Sequence, residues 1–257
     1  MLGFTLLNVK FPCARRPNLE AFMAVTQAQA LIQNQPVLHS AHDVAKLRQV
    51  FQSVHATSCP YNYNFHLHTV YSDGQLQPEQ LIEQATTLGL RGMAITDHHT
   101  VAGYRIAQQW LDGQPNSGGL PHLWTGVEIT SKLLGTEVHI LGYGFQPDRP
   151  AIIPYLQGKT LNDDQAQAAL VIRAIQHAGG LAVLAHPVRY RQPAEDLITA
   201  AAELGIDGVE TYYAYNNPFP WVASPKQSQQ VKRLSDLYHL LNTCGTDTHG
   251  TDILRRV

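Results

Sequence analysis

From position 63 onward, short apolar runs alternate with stretches whose apolar residues recur at helical spacing. The runs at 65–69, 92–96, 123–129, 137–143, 181–185, 208–212 and 241–245 have the length and character of buried strands. Pro78 opens a helix that Gly89 closes, as proline does in a first turn and glycine just past a last one. Further helices are predicted near 101–111, 162–178, 194–204 and 227–240, and Asn116-Ser117-Gly118-Gly119 reads as a loop. This alternation predicts an α/β fold whose parallel sheet closes as a barrel of about seven strands, one short of the usual eight.

Ahead of the first strand, residues 19–33 are rich in Ala and Gln and read as a helix. Pro36 interrupts, and Ser40 is placed to cap a second helix on which Val44, Leu47, Phe51 and Val54 share a face. The expected division is an N-terminal extension over 1–60, partly disordered then helical, and a barrel domain over 61–257. Only eight residues follow His249, too few for a full closing helix, so the helical pair is expected to cover the gap in the barrel wall. His39, His42 and His55 in the extension read as ordinary surface or packing histidines.

Composition narrows the class. An apolar fraction of 44%, a charged fraction of 15% and a net charge of −2 describe a globular chain without a basic stripe for a polynucleotide track. Cys13, Cys59 and Cys244 form no CxxC pair or disulfide framework, which points to a reducing, cytoplasmic setting. No apolar stretch approaches the roughly 20 residues of a membrane span. Lys10, Arg15 and Arg16 follow the opening apolar run instead of preceding it, so a disordered leader or a start at Met23 fits better than a secretory signal.

The chemistry lies in polar residues at or near the ends of apolar runs: His66-Leu67-His68 with Asp73, Asp97-His98, Glu128, His139, His186-Pro187 and Asp247-Thr248-His249. Each has an ordinary reading alone, since a single strand histidine is usually a packed one and Ser72-Asp73-Gly74 is a turn. Strand geometry has period two, so His66 and His68 share a side, as do Asp247 and His249 if that stretch is extended. Imidazole and carboxylate together suit zinc, manganese or iron, and the absence of cysteine from the set argues against a structural zinc knot.

These motifs resemble those of the PHP (polymerase and histidinol phosphatase) superfamily. The resemblance rests on His66-Leu67-His68-Thr69 with Ser72-Asp73-Gly74, Thr96-Asp97-His98, Ala185-His186-Pro187 and Gly245-Thr246-Asp247-Thr248-His249, and covers about 61–250. Gly126-Val127-Glu128-Ile129 and the strand from His139 to Tyr143 match as well. It implies a distorted (β/α)7 TIM-like barrel and two or three divalent ions. His66, His68, Glu128 and Asp247 would hold the first. Glu128 would bridge to a second held by His139 and His186, and Asp73, His98 and His249 would hold a third. Asp97 would orient a ligand histidine. One departure is His99, where many relatives have aspartate; it is expected to contact substrate or to point to solvent. The run His186-Pro187-Val188-Arg189-Tyr190 is similar to that of members that hydrolyse nucleotide phosphates, but only about forty residues separate the His139 strand from His186, too few for the helical cap common among them.

The expected activity is hydrolysis of a small phosphomonoester, a nucleotide among the candidates, by a metal-bound hydroxide at a trinuclear site. Arg189 is expected to hold phosphate oxygens, with Arg191 and Lys159 as weaker candidates. Tyr212, Tyr213, Tyr215, Phe219 and Trp221 crowd one loop and are candidates for base stacking, although loop packing is commoner. The expected partner is a small phosphorylated substrate, with neither a membrane nor a stable nucleic-acid complex. Exonuclease action on short RNA or DNA and a non-catalytic metal-binding module are the alternatives. C–N hydrolysis is less favoured because no lysine stands in the ligand motifs to act as a carboxylated bridge.

Overall fold

Two buried faces on each central strand organise this protein, and the side chains alternate between them. The computed structural model describes residues 40–115 and 118–257; the expected leader, the helix at 19–33, Cys13, His39 and two residues of the 116–119 loop lie outside the described residues. The described residues fall in one compact unit. A parallel three-stranded sheet is ordered β1 (Tyr63–Asn64), β2 (Gly92–Ala94), β3 (His122–Trp124). A five-stranded sheet follows, ordered β4 (Gly126–Leu133), β5 (Thr136–Tyr143), β6 (Leu181–Leu184), β7 (Gly208–Tyr212), β8 (Leu241–Cys244).

The α/β class stands, and among the described residues the strands do not form one closed sheet. The ladders form two sheets, touching through isolated bridges at Leu67–Thr248 and His98–Glu128. Nor is the larger sheet all parallel: β5 runs antiparallel to both β4 and β6. Its reversal is a two-residue turn at Leu134 and Gly135 with φ of 50° and 72°, the doubly left-handed geometry that matches strand twist in a hairpin. The expected strand at 123–129 divides into β3 and the start of β4, giving eight strands among the described residues. Residues 65–69 bridge only at Leu67 and are not a laddered strand.

Six α-helices are described: α1 (Val44–Ser53), α2 (Pro78–Leu88), α3 (Ala102–Asp112), α4 (Ala168–His177), α5 (Ala194–Glu203) and α6 (Pro225–Leu237). Helix α2 begins at Pro78 and ends on Gly89 at φ 70°, as the sequence rules require. The expected helix from 162 starts only at Ala168, because Asn162 folds the chain into a turn first, accepting the Gln165 N–H on its side chain. Asp43 caps α1 instead of Ser40; its carboxylate accepts the Lys46 N–H at 2.9 Å.

The strands' helix-facing residues, such as Val127, Ile129, Ile140, Leu184 and Val209, join one core with α2 to α6. The other face carries Leu141, Tyr143, Val183 and Leu241, joined by Leu47 and Phe51 of α1 in a second, aromatic-rich cluster. Phe51 sits edge-on to Phe65 and Tyr143 at 4.9 and 5.4 Å between ring centroids. Glu128, His139 and Glu210 have the same parity as this second face, so the strands that bury the aromatics aim these polar groups inward as well.

Cys59 and Cys244 form a disulfide across 185 positions, with Cα atoms 6.0 Å apart. This corrects the reading of the cysteines as unpaired. The bridge ties the loop before β1 to the end of β8, a tertiary adjacency that spacing does not reveal, and it removes the cysteine argument for a reducing compartment. Among the described residues no helix is long and apolar enough to cross a membrane.

Phe51→Ala would empty the centre of the second cluster. It should lower unfolding free energy by about 3–5 kcal/mol in a urea titration; a loss below about 1 kcal/mol, the scale of a surface change, would contradict this packing.

Candidate metal centre

Two segments lie side by side at the heart of the site, 65–69 and 245–249. The Asp247 N–H donates to the His66 carbonyl at 2.8 Å, and the His68 N–H to the Thr248 carbonyl at 3.1 Å. Gly245 permits that approach, since a Cβ there would stand 2.2 Å from the His66 Cβ. Glu128 comes from β4, His98 from the turn after β2 and His186 from the end of β6. His139 arrives differently: β5 runs in reverse, so its early residues reach the end of the sheet that its neighbours reach late. His186 and Asp247 hold φ of 25° and 55°, costly for non-glycine residues and typical of over-determined functional positions. The condition that 247–249 is extended is therefore not met, although Asp247 and His249 still face one cluster.

All nine expected ligand residues converge. His66 Nε2 lies 3.0 Å from Glu128 Oε2 and 3.3 Å from Asp247 Oδ1; His68 Nε2 lies 3.1 and 3.3 Å from the same oxygens. The other Glu128 oxygen stands 2.7 Å from His139 Nδ1 and 3.3 Å from His186 Nε2. Asp73 Oδ2 lies 3.2 Å from His249 Nε2 and 3.7 Å from His98 Nε2, and Asp73 Oδ1 is 3.5 Å from His68 Nδ1. Donor atoms fall within 4.8 Å of one another in a set of His66, His68, Glu128 and Asp247 and in a set of His68, Asp73, His98 and His249.

A divalent ion fits these residues on the chemistry of their donors. His68 Nε2 and both ring nitrogens of His186 are buried with no hydrogen-bond partner. His68 Nε2 and His186 Nε2 nevertheless lie within ion-pair distance of carboxylates. Atoms this close but misaligned for mutual hydrogen bonds point toward a shared space between them, as ligands of one ion do.

Electrostatics give the same arrangement. Burial opposes ionisation of Glu128 and Asp247, yet the surrounding histidines hold both carboxyls well below the ordinary range. Burial disfavours a charged His68, but the adjacent Asp247 and Glu128 carboxylates outweigh it and raise its pKa to about 9. Burial, joined by repulsion from His68 and His139 against the pull of Glu128, lowers His98 to about 4. His98 is thus already neutral near pH 7, whereas His68 must shed a proton before it can ligate.

Other expected residues behave differently. Asp97 accepts the Thr69 N–H and hydroxyl at 2.7 Å each and the Ser72 hydroxyl at 2.8 Å, shaping the loop that carries Asp73; the Ser72 oxygen in turn lies 3.4 Å from His68 Nδ1, so Asp97 meets a ligand ring only through Ser72. His99 reaches neither solvent nor the cluster: it is buried and accepts the Thr130 N–H at 3.2 Å. Arg189 does reach the cluster, 3.0 Å from Asp247 Oδ2, whereas Arg191 and Lys159 are exposed on the surface. Of the aromatic group, Tyr212, Tyr213 and Trp221 are buried, and only Phe219 stands well exposed.

Two contributors, Glu210 and Arg256, went unread in the sequence, and a third, Tyr213, was read only as a stacking candidate. Glu210 is buried, accepts from His66 Nδ1 at 2.9 Å and from the His186 N–H at 2.8 Å, and so fixes one ligand ring and one ligand backbone. Its signal was present: Gly208-Val209-Glu210 repeats Gly126-Val127-Glu128, an acid inside an apolar strand. The Tyr213 hydroxyl donates to Asp247 Oδ2 at 2.7 Å, and Arg256 Nε does the same at 2.7 Å.

Glu210→Gln should weaken divalent-ion affinity about 10–100-fold in a competition titration with the fold intact; unchanged affinity would contradict its orienting role. Because protons compete at His68, affinity should rise as pH increases from 6 toward 9, with protons released on ion uptake. An affinity independent of pH would contradict that.

The family profile of the PHP domain matches residues 64–254. The 5'-3' exoribonuclease Rnm of Escherichia coli strain K12 is 26% identical over 258 residues, covering 73% of this chain and 85% of its own length. The 3',5'-nucleoside bisphosphate phosphatase of Chromobacterium violaceum is 31% identical over 121 residues, 47% of this chain and 40% of that protein. A solved structure from Bifidobacterium adolescentis, assigned to the metal-dependent phosphoesterases, superposes with a TM-score of 0.60 at 24% identity over 75% of this chain and 89% of its own, a likeness of fold. With the profile spanning well over half its length, the chain belongs to the PHP domain family.

Proposed function

We propose that this chain hydrolyses a small phosphomonoester, with a nucleotide the favoured class, at a site built for up to three divalent ions. As a PHP-family member it is a hydrolase of phosphate esters. The observation that carries the reading is the convergence of six imidazoles and three carboxylates around Glu128 and Asp247. His66, His68, Glu128 and Asp247 would hold one ion, Glu128 with His139 and His186 a second, and Asp73, His98 and His249 a third. Ions held there supply Lewis acidity and lower the pKa of a water toward neutrality.

The protein's own groups do the rest. Glu210 keeps the His66 ring in one orientation through Nδ1. Asp97 holds the loop that brings Asp73 to the rim. Arg189, about a third exposed beside the buried Asp247, offers a planar donor fork for phosphate oxygens. Arg191 and His99 are less suited to that task, one exposed away from the cluster and one engaged with Thr130.

A second reading is exonucleolytic release of nucleotides from short RNA. It is favoured by the Escherichia coli exoribonuclease, which aligns over most of its own length. The net charge of −2 favours the small substrate.

The test is a panel of nucleoside bisphosphates, mononucleotides, an aryl phosphate and 5'-phosphorylated oligoribonucleotides, each with manganese, zinc or iron. Orthophosphate from the small esters is expected, and His68→Ala and Asp247→Ala should lower turnover by at least about 100-fold. Mononucleotides trimmed from the oligomers would shift the assignment to the second reading. Full turnover in both alanine variants would overturn either one.

A further inference from the structure

Asp247 divides its carboxylate between two environments. Oδ1 faces His66 and His68, each at 3.3 Å. Oδ2 faces Tyr213 Oη at 2.7 Å, Arg256 Nε at 2.7 Å and Arg189 Nη1 at 3.0 Å. Three donors on one oxygen exceed its two lone pairs, and two guanidiniums face a single carboxylate there. Each guanidinium carries five N–H donors, more than these contacts use. Both side chains are partly open to solvent, 36% for Arg189 and 28% for Arg256, whereas Asp247 is buried. This edge of the site has positive charge and donors in excess of acceptors.

Arg256 is held there firmly. Its carbonyl accepts the His249 N–H at 2.6 Å, and the Thr248 hydroxyl donates to the Arg255 carbonyl at 2.6 Å. The Arg255 guanidinium lies over the exposed Phe219 ring at 4.0 Å, pinning the segment to the loop after β7. Gln84 on α2 donates to the Thr251 carbonyl and accepts the Ile253 N–H. A stretch bound this often to its surroundings delivers its side chain to a fixed place.

We propose that Arg256 and Arg189 form a paired-guanidinium subsite for a phosphate group of the substrate, with residues 251–256 as the element that presents Arg256. The proposal rests on the phosphoesterase reading and names a specificity-determining residue for it. Arg256 stays against Asp247 and turns its outer nitrogens to the phosphate, while Arg189, the longer of the two contacts, shifts from Asp247 onto the same anion. A planar fork matters here, so lysine replaces it only in part.

The test measures inorganic phosphate binding by calorimetry to the manganese-loaded full chain, with metal content determined in parallel. Arg256→Ala should weaken phosphate binding at least 10-fold with metal content unchanged. Arg256→Lys should recover part of the loss, and Phe219→Ala should give a smaller loss by loosening the segment. Arg105→Ala, which removes an exposed cation paired with Asp148, should change nothing. For any ester the protein cleaves, Arg256→Ala should raise KM more than it lowers kcat. Unchanged phosphate affinity in Arg256→Ala, no phosphate binding by the unaltered protein, or a loss that tracks loss of metal would each overturn the subsite. Phosphate binding that depends on Arg256 without hydrolysis of any ester would keep the subsite and sink the phosphoesterase reading instead.

Discussion

Glu128 and Asp247 are carboxylates with almost no exposure, set in the interior of a fold that otherwise buries hydrocarbon and aromatic rings. An ionised carboxylate in such a place costs several kcal/mol unless charge and hydrogen bonds answer it. Here the answer is a ring of imidazoles, with Arg189, Arg256 and Tyr213 behind Asp247. The rest of the site follows from that requirement. Strained backbone at His186 and Asp247, the glycine at 245 and the buried Glu210 beneath His66 all serve to bring cationic or donor groups to two oxygen pairs.

The fold meets this requirement by parity and by one reversal. A strand residue that faces Tyr143 or Val183 in the aromatic cluster belongs to the face that carries Glu128, His139 and Glu210. Helix α1 fills one part of that enclosed space with Leu47 and Phe51, and the polar groups occupy another. The antiparallel pairing of β5 with β6 sets His139 beside Ala185, whose N–H donates to the His139 carbonyl at 3.0 Å, and so next to His186; the Leu134–Gly135 turn makes the reversal between β4 and β5.

Much of this could be read from the chain, for a definite reason. Ligand chemistry restricts residue type, and strand ends restrict position, so His66, His68, Glu128, His139 and Asp247 stood out before any coordinates. The helices with clear punctuation, such as the one from Pro78 to Gly89, were equally legible. What escaped depended on contacts between distant segments. The Cys59–Cys244 bridge and the approach of Arg256 to Asp247 involve no local pattern. The direction of β5 was missed because apolar periodicity is the same for parallel and antiparallel strands. The partners of His99 and Asp97 were not legible, because sequence proximity to His98 does not fix where a side chain turns. Asp97 aims at the 69–72 loop, and His99, at φ 55°, turns to Thr130.

Membership of the PHP family and the grouping of donors lead to one central claim: that the cluster around Glu128 and Asp247 holds divalent cations. Anomalous diffraction from crystals grown with manganese tests it most directly. Strong peaks are expected between His66, His68, Glu128 and Asp247 and between Glu128, His139 and His186, with a further peak beside Asp73, His98 and His249 when the third position fills. A well-ordered structure in excess manganese with these side chains in place and no anomalous signal among them would contradict it.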